Sequence, residues 1–356
     1  MGIRQYLAAT LMFSMITWLA AQSAPVPGYD YHIPANAVSP ITLGMGGINL
    51  TNSADYFSSY DNPALLADNV STAFATSFRL KNDDYMTFAE AMNASNLLKP
   101  KQFMYFTLIT KSAAWSYQPV SSIHISEFYN PPGSSVKHRR YFDYQLDKLQ
   151  VSFAAKDEKY ASLSGGFNLK YLTGRLIKLE EKFTNPTTTV TLAPLVDDKV
   201  KGVSGDLGLT MASDKYTVGF CVYDLYSRLW WENFDAKSLQ RRTAIGFQYK
   251  VDDNFSLMAS TQGKISKYPG TTYHFGLIKN WTWGSEGNGM DKQETTQNLV
   301  VRAGLFSKDF NGTENINFTL GSGYNYNMFR VDFALTNNGM ELKDSQYLFS
   351  VGLGIQ

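Results

Sequence analysis

Apolar residues recur at every second position along most of this chain, from Ser71 to its last residue. In the final stretch the alternating apolar residues are Tyr347, Phe349, Val351, Leu353 and Ile355. Successive side chains of a β-strand point to opposite faces of the sheet, so a period of two indicates strands with two unlike faces. One face is apolar throughout, and the other is small or polar.

About fourteen such stretches follow Ser71, and polar connections separate them. Short turns are predicted at 212–215, 251–254 and 324–327, and longer loops at 81–102, 121–146, 184–199, 226–239, 284–297 and 337–345. Short turns at one rim and long loops at the other are typical of outer-membrane barrels. The prediction is an all-β fold: a transmembrane antiparallel β-barrel of about 14 strands over residues 71–356, with an N-terminal hatch or plug segment. A soluble β-sandwich would show the same alternation, but it would need unusually many strands.

Composition argues against several other functions. The chain carries a net charge of +1 and so has no basic field for nucleic acid. Its single cysteine, Cys221, rules out a disulfide framework and indicates a small packed side chain. The four histidines share no ligand-like spacing, and no catalytic serine or zinc motif occurs, so we expect no metal, no cofactor and no enzymatic activity. An enzyme embedded in the barrel is a less favoured alternative, which would need an Asp, His and Ser cluster at one rim.

The N-terminus predicts export. Arg4 precedes an apolar stretch from Leu7 to Leu19, and small residues follow. This order is typical of a secretory signal peptide over residues 1–21, with cleavage after Ala21 or Ser23. An uncleaved anchor helix would need a longer apolar run. We therefore expect residues 22–70 to form the hatch segment of a protein located in a bacterial outer membrane, in contact with its lipid.

One part of the predicted hatch segment has a distinctive composition. It contains Leu43-Gly44-Met45-Gly46-Gly47-Ile48, then Asp55, then Asp61-Asn62-Pro63-Ala64. Glycines in such a run permit a close backbone approach or a positive φ, and Asn-Pro-Ala is a turn signal. The run does not match a phosphate-binding loop, because its glycine spacing differs and no Lys-Ser or Lys-Thr follows.

This segment resembles the N-terminal region of the FadL-type outer-membrane transport barrels, whose family includes PorV- and PorQ-like branches. The resemblance implies a fourteen-stranded barrel with a hatch in its lumen. It also implies passage of hydrophobic, fatty-acid-like small molecules, or, in the PorV- and PorQ-like branches, cargo docking with a protein-secretion system. On this resemblance the residues that shape the hatch and gate the ligand are Gly44, Gly46, Gly47, Asp55, Asn62, Pro63 and Ala64.

Charged residues also occur on the small or polar face of the late strands. Arg302, Arg330 and Asp332 are predicted to face the lumen, where they would either line a polar path or form ion pairs that hold the hatch. The basic run Lys137–Arg140 is predicted to lie in a solvated loop, with lipopolysaccharide phosphates as an alternative partner. The stretch Tyr85–Leu98 is consistent with an amphipathic loop helix.

Overall fold

The computed structural model describes residues 37–69, 71–80, 95, 103–129, 137–157, 159–160, 162–183, 190–192, 195–265, 270–285, 295–307, 316–338 and 346–355. The predicted signal peptide lies outside the described residues, and so does the predicted loop helix at Tyr85–Leu98 apart from Ser95. Across the described ranges, no helix is long and apolar enough to cross a membrane.

The alternating stretches form strands, as predicted. The strands are β1 Thr72–Leu80, β2 Phe103–Thr110, β3 Ala113–Tyr129, β4 Lys137–Lys156, β5 Leu163–Phe183, β6 Val190–Leu192, β7 Val196–Ala212, β8 Tyr216–Trp231, β9 Arg242–Asp252, β10 Phe255–Lys264, β11 Thr271–Ser285, β12 Thr295–Ser307, β13 Ile316–Tyr326, β14 Phe329–Asn338 and β15 Gln346–Ile355. Consecutive strands pair antiparallel, except that β5 pairs with both β6 and β7.

The sheet closes on itself. Strand β1 pairs with β15 from Thr72 opposite Ile355 to Leu80 opposite Tyr347. The three-residue strand β6 pairs only with the end of β5, beyond the last β5–β7 pair. It therefore adds no position to the ring, and the fold is a closed barrel of fourteen strands, which confirms the predicted architecture. Closure pairs β1 with β15, so neither end strand of the ring is left as a sheet edge.

The two faces of each strand differ as the alternation predicts. In β7 the apolar residues Leu207, Leu209 and Met211 are exposed on the outer face, whereas Asp206 and Thr210 are buried on the inner face. Large apolar side chains cover the outer face of the other strands in the same way. The barrel is thus apolar outside and largely polar inside.

Two predicted loop assignments are wrong. Strand β3 extends to Tyr129 and β4 begins at Lys137, so most of the predicted loop 121–146 is paired sheet, including the basic run Lys137–Arg140. Backbone pairing does not require apolar side chains, so the hairpin continues where the alternation fades. Residues 286–294 connect β11 and β12 at the rim of the short turns, where Thr296 and Asn327 exchange hydrogen bonds, and not at the long-loop rim. The turn predicted at 324–327 lies at Asn327–Met328.

Aromatic side chains mark both rims on the outer face. Tyr216, Trp281, Trp283, Tyr324 and Tyr326 are exposed near the short-turn rim, and Tyr226 and Trp230 near the long-loop rim. Trp231, Tyr144 and Tyr223 also lie on strands near the rims, but they point inward and are buried. Such girdles are characteristic of membrane–water interfaces.

Residues 37–69, here called the luminal segment, lie inside the barrel. Three short helices shape them: α1 Pro40–Gly44, α2 Ser58–Asp61 and a 3₁₀-helix Pro63–Asp68. The Ser39 hydroxyl caps α1 by accepting a hydrogen bond from Thr42 N at 3.1 Å, and a proline begins α1 and the 3₁₀-helix. Apolar side chains of the segment are buried against inward residues of the strands, as Ile48 and Leu50 are against Cys221.

Candidate functional site

The luminal segment rests on a set of inward-facing glycines, here called the glycine belt. Its members are Gly166, Gly208, Gly219, Gly246, Gly276, Gly304, Gly321 and Gly352, on eight different strands. At each one, an added Cβ would meet an atom of the luminal segment closer than ordinary van der Waals contact. The belt brings the strand backbone directly against the segment, which a wall of larger side chains would prevent.

The Asn62-Pro63-Ala64 triplet joins the segment to the wall at β5 and β7. The Asn62 amide oxygen accepts a hydrogen bond from Ala64 N at 3.1 Å, and its amide nitrogen donates to the carbonyl oxygens of Leu50 at 3.0 Å and Leu209 at 3.3 Å. The backbone of Pro63 and Ala64 lies directly over Gly166. The predicted turn is therefore also an anchoring point between the segment and two strands.

The glycine-rich run makes the close backbone approach that its composition predicts. Gly46 and Gly47 have φ values of 90° and 88°, which disfavour a side chain. The Thr319 hydroxyl accepts a hydrogen bond from Gly46 N at 3.2 Å and donates to the Gly44 carbonyl oxygen at 3.3 Å. This part of the segment is thereby tied to β13.

His274 also holds this run, although the sequence analysis assigned it no role. Its Nδ1 lies 2.6 Å from the Gly46 carbonyl oxygen, and its Nε2 lies 2.7 Å from the Thr272 hydroxyl. A carbonyl only accepts, so Nδ1 carries the proton and Nε2 accepts from Thr272. A lone inward histidine gives no sequence signal for such a contact, because its partner lies 228 residues away.

Two buried carboxyl groups meet inside the luminal segment. The Thr42 hydroxyl lies 3.0 Å from Asp55 Oδ2 and 3.2 Å from Asp61 Oδ2, and Ser39 donates to Asp55 at 2.6 Å. A hydroxyl has one proton, so the second contact requires a proton on a carboxyl group. Burial, with the nearby charge of Asp55, raises the pKa of Asp61 to about 8.

The three predicted charged residues meet one another and the segment. Arg302 Nη1 lies 3.0 Å from Asp332 Oδ1, and Arg330 Nε lies 2.7 Å from Asp332 Oδ2. Arg330 also donates to the Ala54 carbonyl oxygen, and its guanidinium lies 5.5 Å from the centre of the Tyr56 ring. The structure thus places all three side chains inside the barrel, where they form an ion-paired group against the luminal segment.

A second ion-paired group was not predicted. Lys170 Nζ lies 2.6 Å from Asp206 Oδ1 and 3.1 Å from Asp224 Oδ1. Alternation alone places Lys170 and Asp206 on the inner face. Asp224 lies at a register irregularity between β7 and β8 and has a φ of 52°, so its inward direction does not follow from a simple period of two.

The inner surface changes character towards the long-loop rim. There, apolar side chains from β3, β4, β5, β7 and β8 form a buried cluster: Val120, Tyr144, Leu146, Leu172, Leu176, Val200, Leu229 and Trp231, with Leu239. Tyr144 and Trp231 stack with ring centres 6.2 Å apart. A packed apolar cluster therefore lies on the long-loop side of the polar groups that surround the luminal segment.

A small cavity adjoins the luminal segment. A cavity of about 30 Å³ lies between the segment and strands β8 to β10, lined by polar groups that include Asp61, Tyr223 and Arg242. That volume suits one or two water molecules. Within the described ranges no group of three or more His, Cys, Asp or Glu side chains could hold a metal ion.

Comparison with known proteins gives the fold a family context. No family model and no curated protein matches the chain. Among solved structures, the Ralstonia pickettii toluene transporter TbuX has 11% identity and a TM-score of 0.52, over 91% of this chain and 98% of that one. This is the fold of the FadL-type transport barrels.

Two further structures agree. The CymD monoaromatic hydrocarbon channel has 12% identity and a TM-score of 0.52, over 91% of this chain and 98% of that one. The Pseudomonas putida toluene transporter TodX has 10% identity and a TM-score of 0.50, over 94% and 99%. The FadL-type fold expected from the N-terminal run is therefore confirmed over most of the chain.

Proposed function

We propose that this chain is an outer-membrane barrel that passes hydrophobic small molecules, with the luminal segment acting as its hatch. The observation that carries the proposal is a closed barrel that holds a segment inside its lumen, seated on the glycine belt. A segment in this place does not suit a general porin, which needs an open aqueous channel. It suits a protein that admits selected molecules.

The outer surface supports a membrane location. Large apolar side chains such as Phe167, Leu169 and Leu320 lie exposed on the outer face. In water, a continuous apolar surface of this kind would promote aggregation, whereas in a bilayer it contacts lipid. Aromatic residues at both rims and the closure of the fourteen-stranded ring fit the same location.

The inner surface supports a hydrophobic ligand. The apolar cluster around Tyr144, Leu172 and Trp231 lies at the long-loop rim, which faces outward from the cell in barrels of this kind. An apolar molecule that entered between these buried side chains would gain free energy by leaving water. The similar structures are described as transporters of toluene and channels for monoaromatic hydrocarbons, which favours the same ligand class here.

Passage then requires a change at the hatch. The luminal segment and the ion-paired groups around Lys170 and Arg302 lie inside the barrel, below the apolar cluster. A ligand would proceed either when the segment shifts or through an opening in the wall. In both cases Gly44, Gly46, Gly47, Asp55 and the Asn62-Pro63-Ala64 triplet shape the hatch and have no catalytic role.

The proposal is tested by measuring the uptake of hydrophobic molecules in cells that lack their own transporters for them. We would measure entry of radiolabelled toluene and oleate with and without the chain in the outer membrane. Asn62→Ala should change uptake more than barrel folding, because it removes three hydrogen bonds of the segment. Asn254→Ala, at an exposed turn, is the matched control.

Folding of each variant is measured by heat-modifiability, which is the difference in gel mobility between the boiled and the unboiled barrel. A change of uptake in Asn62→Ala without loss of the folded barrel would support a hatch. No uptake of either probe above empty cells would refute transport of these ligand classes. Co-purification of secreted cargo in that case would favour the secretion role of the PorV- and PorQ-like branches.

A further inference from the structure

An apolar groove lies in the outer wall of the barrel at strands β9 to β12. Its volume is about 640 Å³, and outward side chains of Phe247, Leu257, Phe275, Leu277 and Leu305 line it. The outer wall of a barrel is generally convex, so a concavity here needs an explanation. The residues assigned to the proposed transport function lie inside the barrel and do not line this groove.

Small residues between large ones create the groove. Ala259 pairs with Phe247 on one side and with Phe275 on the other, so two rings flank a methyl group. On β12, Ala303 pairs with Leu277. The large side chains stand outward as walls, and the two alanines form a floor close to the backbone.

The luminal segment supports this floor from inside. The inner faces of Gly276 and Gly304 contact the backbone of Met45 and Gly46. His274 holds the Gly46 carbonyl oxygen in place from the same stretch of β11. The strand backbone here is supported from inside by the packed luminal segment, so the groove exists before any molecule enters it. A preformed site loses less conformational entropy on binding.

An ammonium group paired with a carboxylate lies at one end of the groove. Lys279 follows Leu277 by two residues on β11 and therefore points to the same outer face. Its Nζ lies 3.5 Å from Asp252 Oδ2 at the short-turn rim, and its side chain is 34% exposed. An ammonium has three donors, so an anionic oxygen can bind beside Asp252.

The geometry points to a site for one phospholipid of the periplasmic leaflet, with an acyl chain in the groove and the phosphate at Lys279. The inference rests on the proposed membrane location, because the short-turn rim faces the periplasm in barrels of this kind. The apolar lining fits a chain of methylene groups and the lysine fits a phosphate. A free hydrocarbon would use the lining but would not need Lys279.

Lipid retention by the purified full-length barrel tests the site. Protein would be extracted in mild detergent, supplied with palmitoyl-oleoyl-phosphatidylglycerol, washed, and its bound lipid counted by native mass spectrometry. We expect the unmodified chain to retain one lipid. Ala259→Phe fills the groove from its outer face and should lower retention about tenfold, equivalent to about 1.4 kcal/mol.

Control variants separate the groove from general lipid contact. Ala155→Phe changes another outward alanine, on β4, and should retain lipid as the unmodified chain does. Lys279→Gln should lower retention about two- to fivefold, the range of an exposed ion pair. Ala303→Leu provides a second way to fill the groove if Ala259→Phe yields no heat-modifiable barrel.

Equal retention by Ala259→Phe, Ala303→Leu and Ala155→Phe would overturn the proposal. So would a bound molecule that proves to be a hydrocarbon without phosphate. Uptake is measured separately on the same variants, so a barrel that holds phospholipid but transports nothing would refute only the transport function. A barrel that transports but holds no lipid would refute only this site.

Discussion

Gly165 and Gly166 are neighbours on β5 that face opposite sides of the barrel wall. A Cβ at Gly166 would lie 2.6 Å from the Ala64 nitrogen and 2.6 Å from the Pro63 carbonyl carbon. A Cβ at Gly165 would lie no closer than 3.6 Å to any atom, the nearest being Leu209 Cδ2. The variants Gly166→Ala and Gly165→Ala therefore add the same methyl group to the same strand, and only one presses on the luminal segment.

The expected effect follows from the overlap. Ordinary contact begins near 3.4 Å, so the Gly166→Ala methyl group overlaps the segment by about 0.8 Å. Its neighbours there are backbone atoms, which cannot rotate away as a flexible side chain can. Overpacking of this kind costs about 1–3 kcal/mol. The population with a displaced segment should then rise by about 5- to 150-fold, whereas Gly165→Ala should leave it unchanged.

Two measurements read out the displacement. Ionic current through single barrels in a planar bilayer should show more frequent openings for Gly166→Ala, because the segment lies inside the lumen. Limited proteolysis should cleave within residues 37–69 faster in that variant. Heat-modifiability should persist in both variants, since the strands are intact. Equal current and equal cleavage for the two variants would refute the idea that the glycine belt holds the segment.

Three further perturbations address the polar groups. Arg330→Met removes the buried ion pair with Asp332 and the hydrogen bond to the Ala54 carbonyl oxygen, and it should lower barrel stability by about 3–5 kcal/mol, measured by urea unfolding beside Arg330→Lys; equal stability of all three proteins would contradict it. Asp61→Asn tests the raised pKa of Asp61: protonation favours the folded form, so the unmodified barrel should lose thermal stability as pH rises from about 4, near the ordinary pKa of the carboxyl group, to its raised pKa of about 8, and the variant should lose less. A parallel pH dependence in the two proteins would argue against a protonated Asp61. Lys170→Met leaves the buried carboxylates of Asp206 and Asp224 without this cation and should destabilise the barrel by about 3–5 kcal/mol. Stability should recover when both aspartates are also changed to Asn. An unchanged urea midpoint for Lys170→Met would exclude a stabilising role of the ion pairs.

The sequence by itself determined the class of fold and the direction of most side chains. A period of two is local, so it identifies Leu207 and Leu209 as outward and Asp206 as inward without knowledge of any partner strand. The backbone freedom of Gly46 and Gly47 was likewise readable from composition, and both residues have the positive φ that this freedom permits. Arg302, Arg330 and Asp332 were predicted to face the lumen for the same local reason, and they do point inward.

Only the tertiary structure decided which of these residues meet. Alternation assigns a face but contains no information on register between strands, and register depends on pairing across the whole barrel. Contacts such as His274 with Gly46, or Lys170 with Asp224, therefore could not be predicted, and the irregularity in β8 also changed the expected direction of Asp224. The glycine belt was missed for this reason: each wall glycine is one small residue among many until closure of the barrel brings eight of them against one segment.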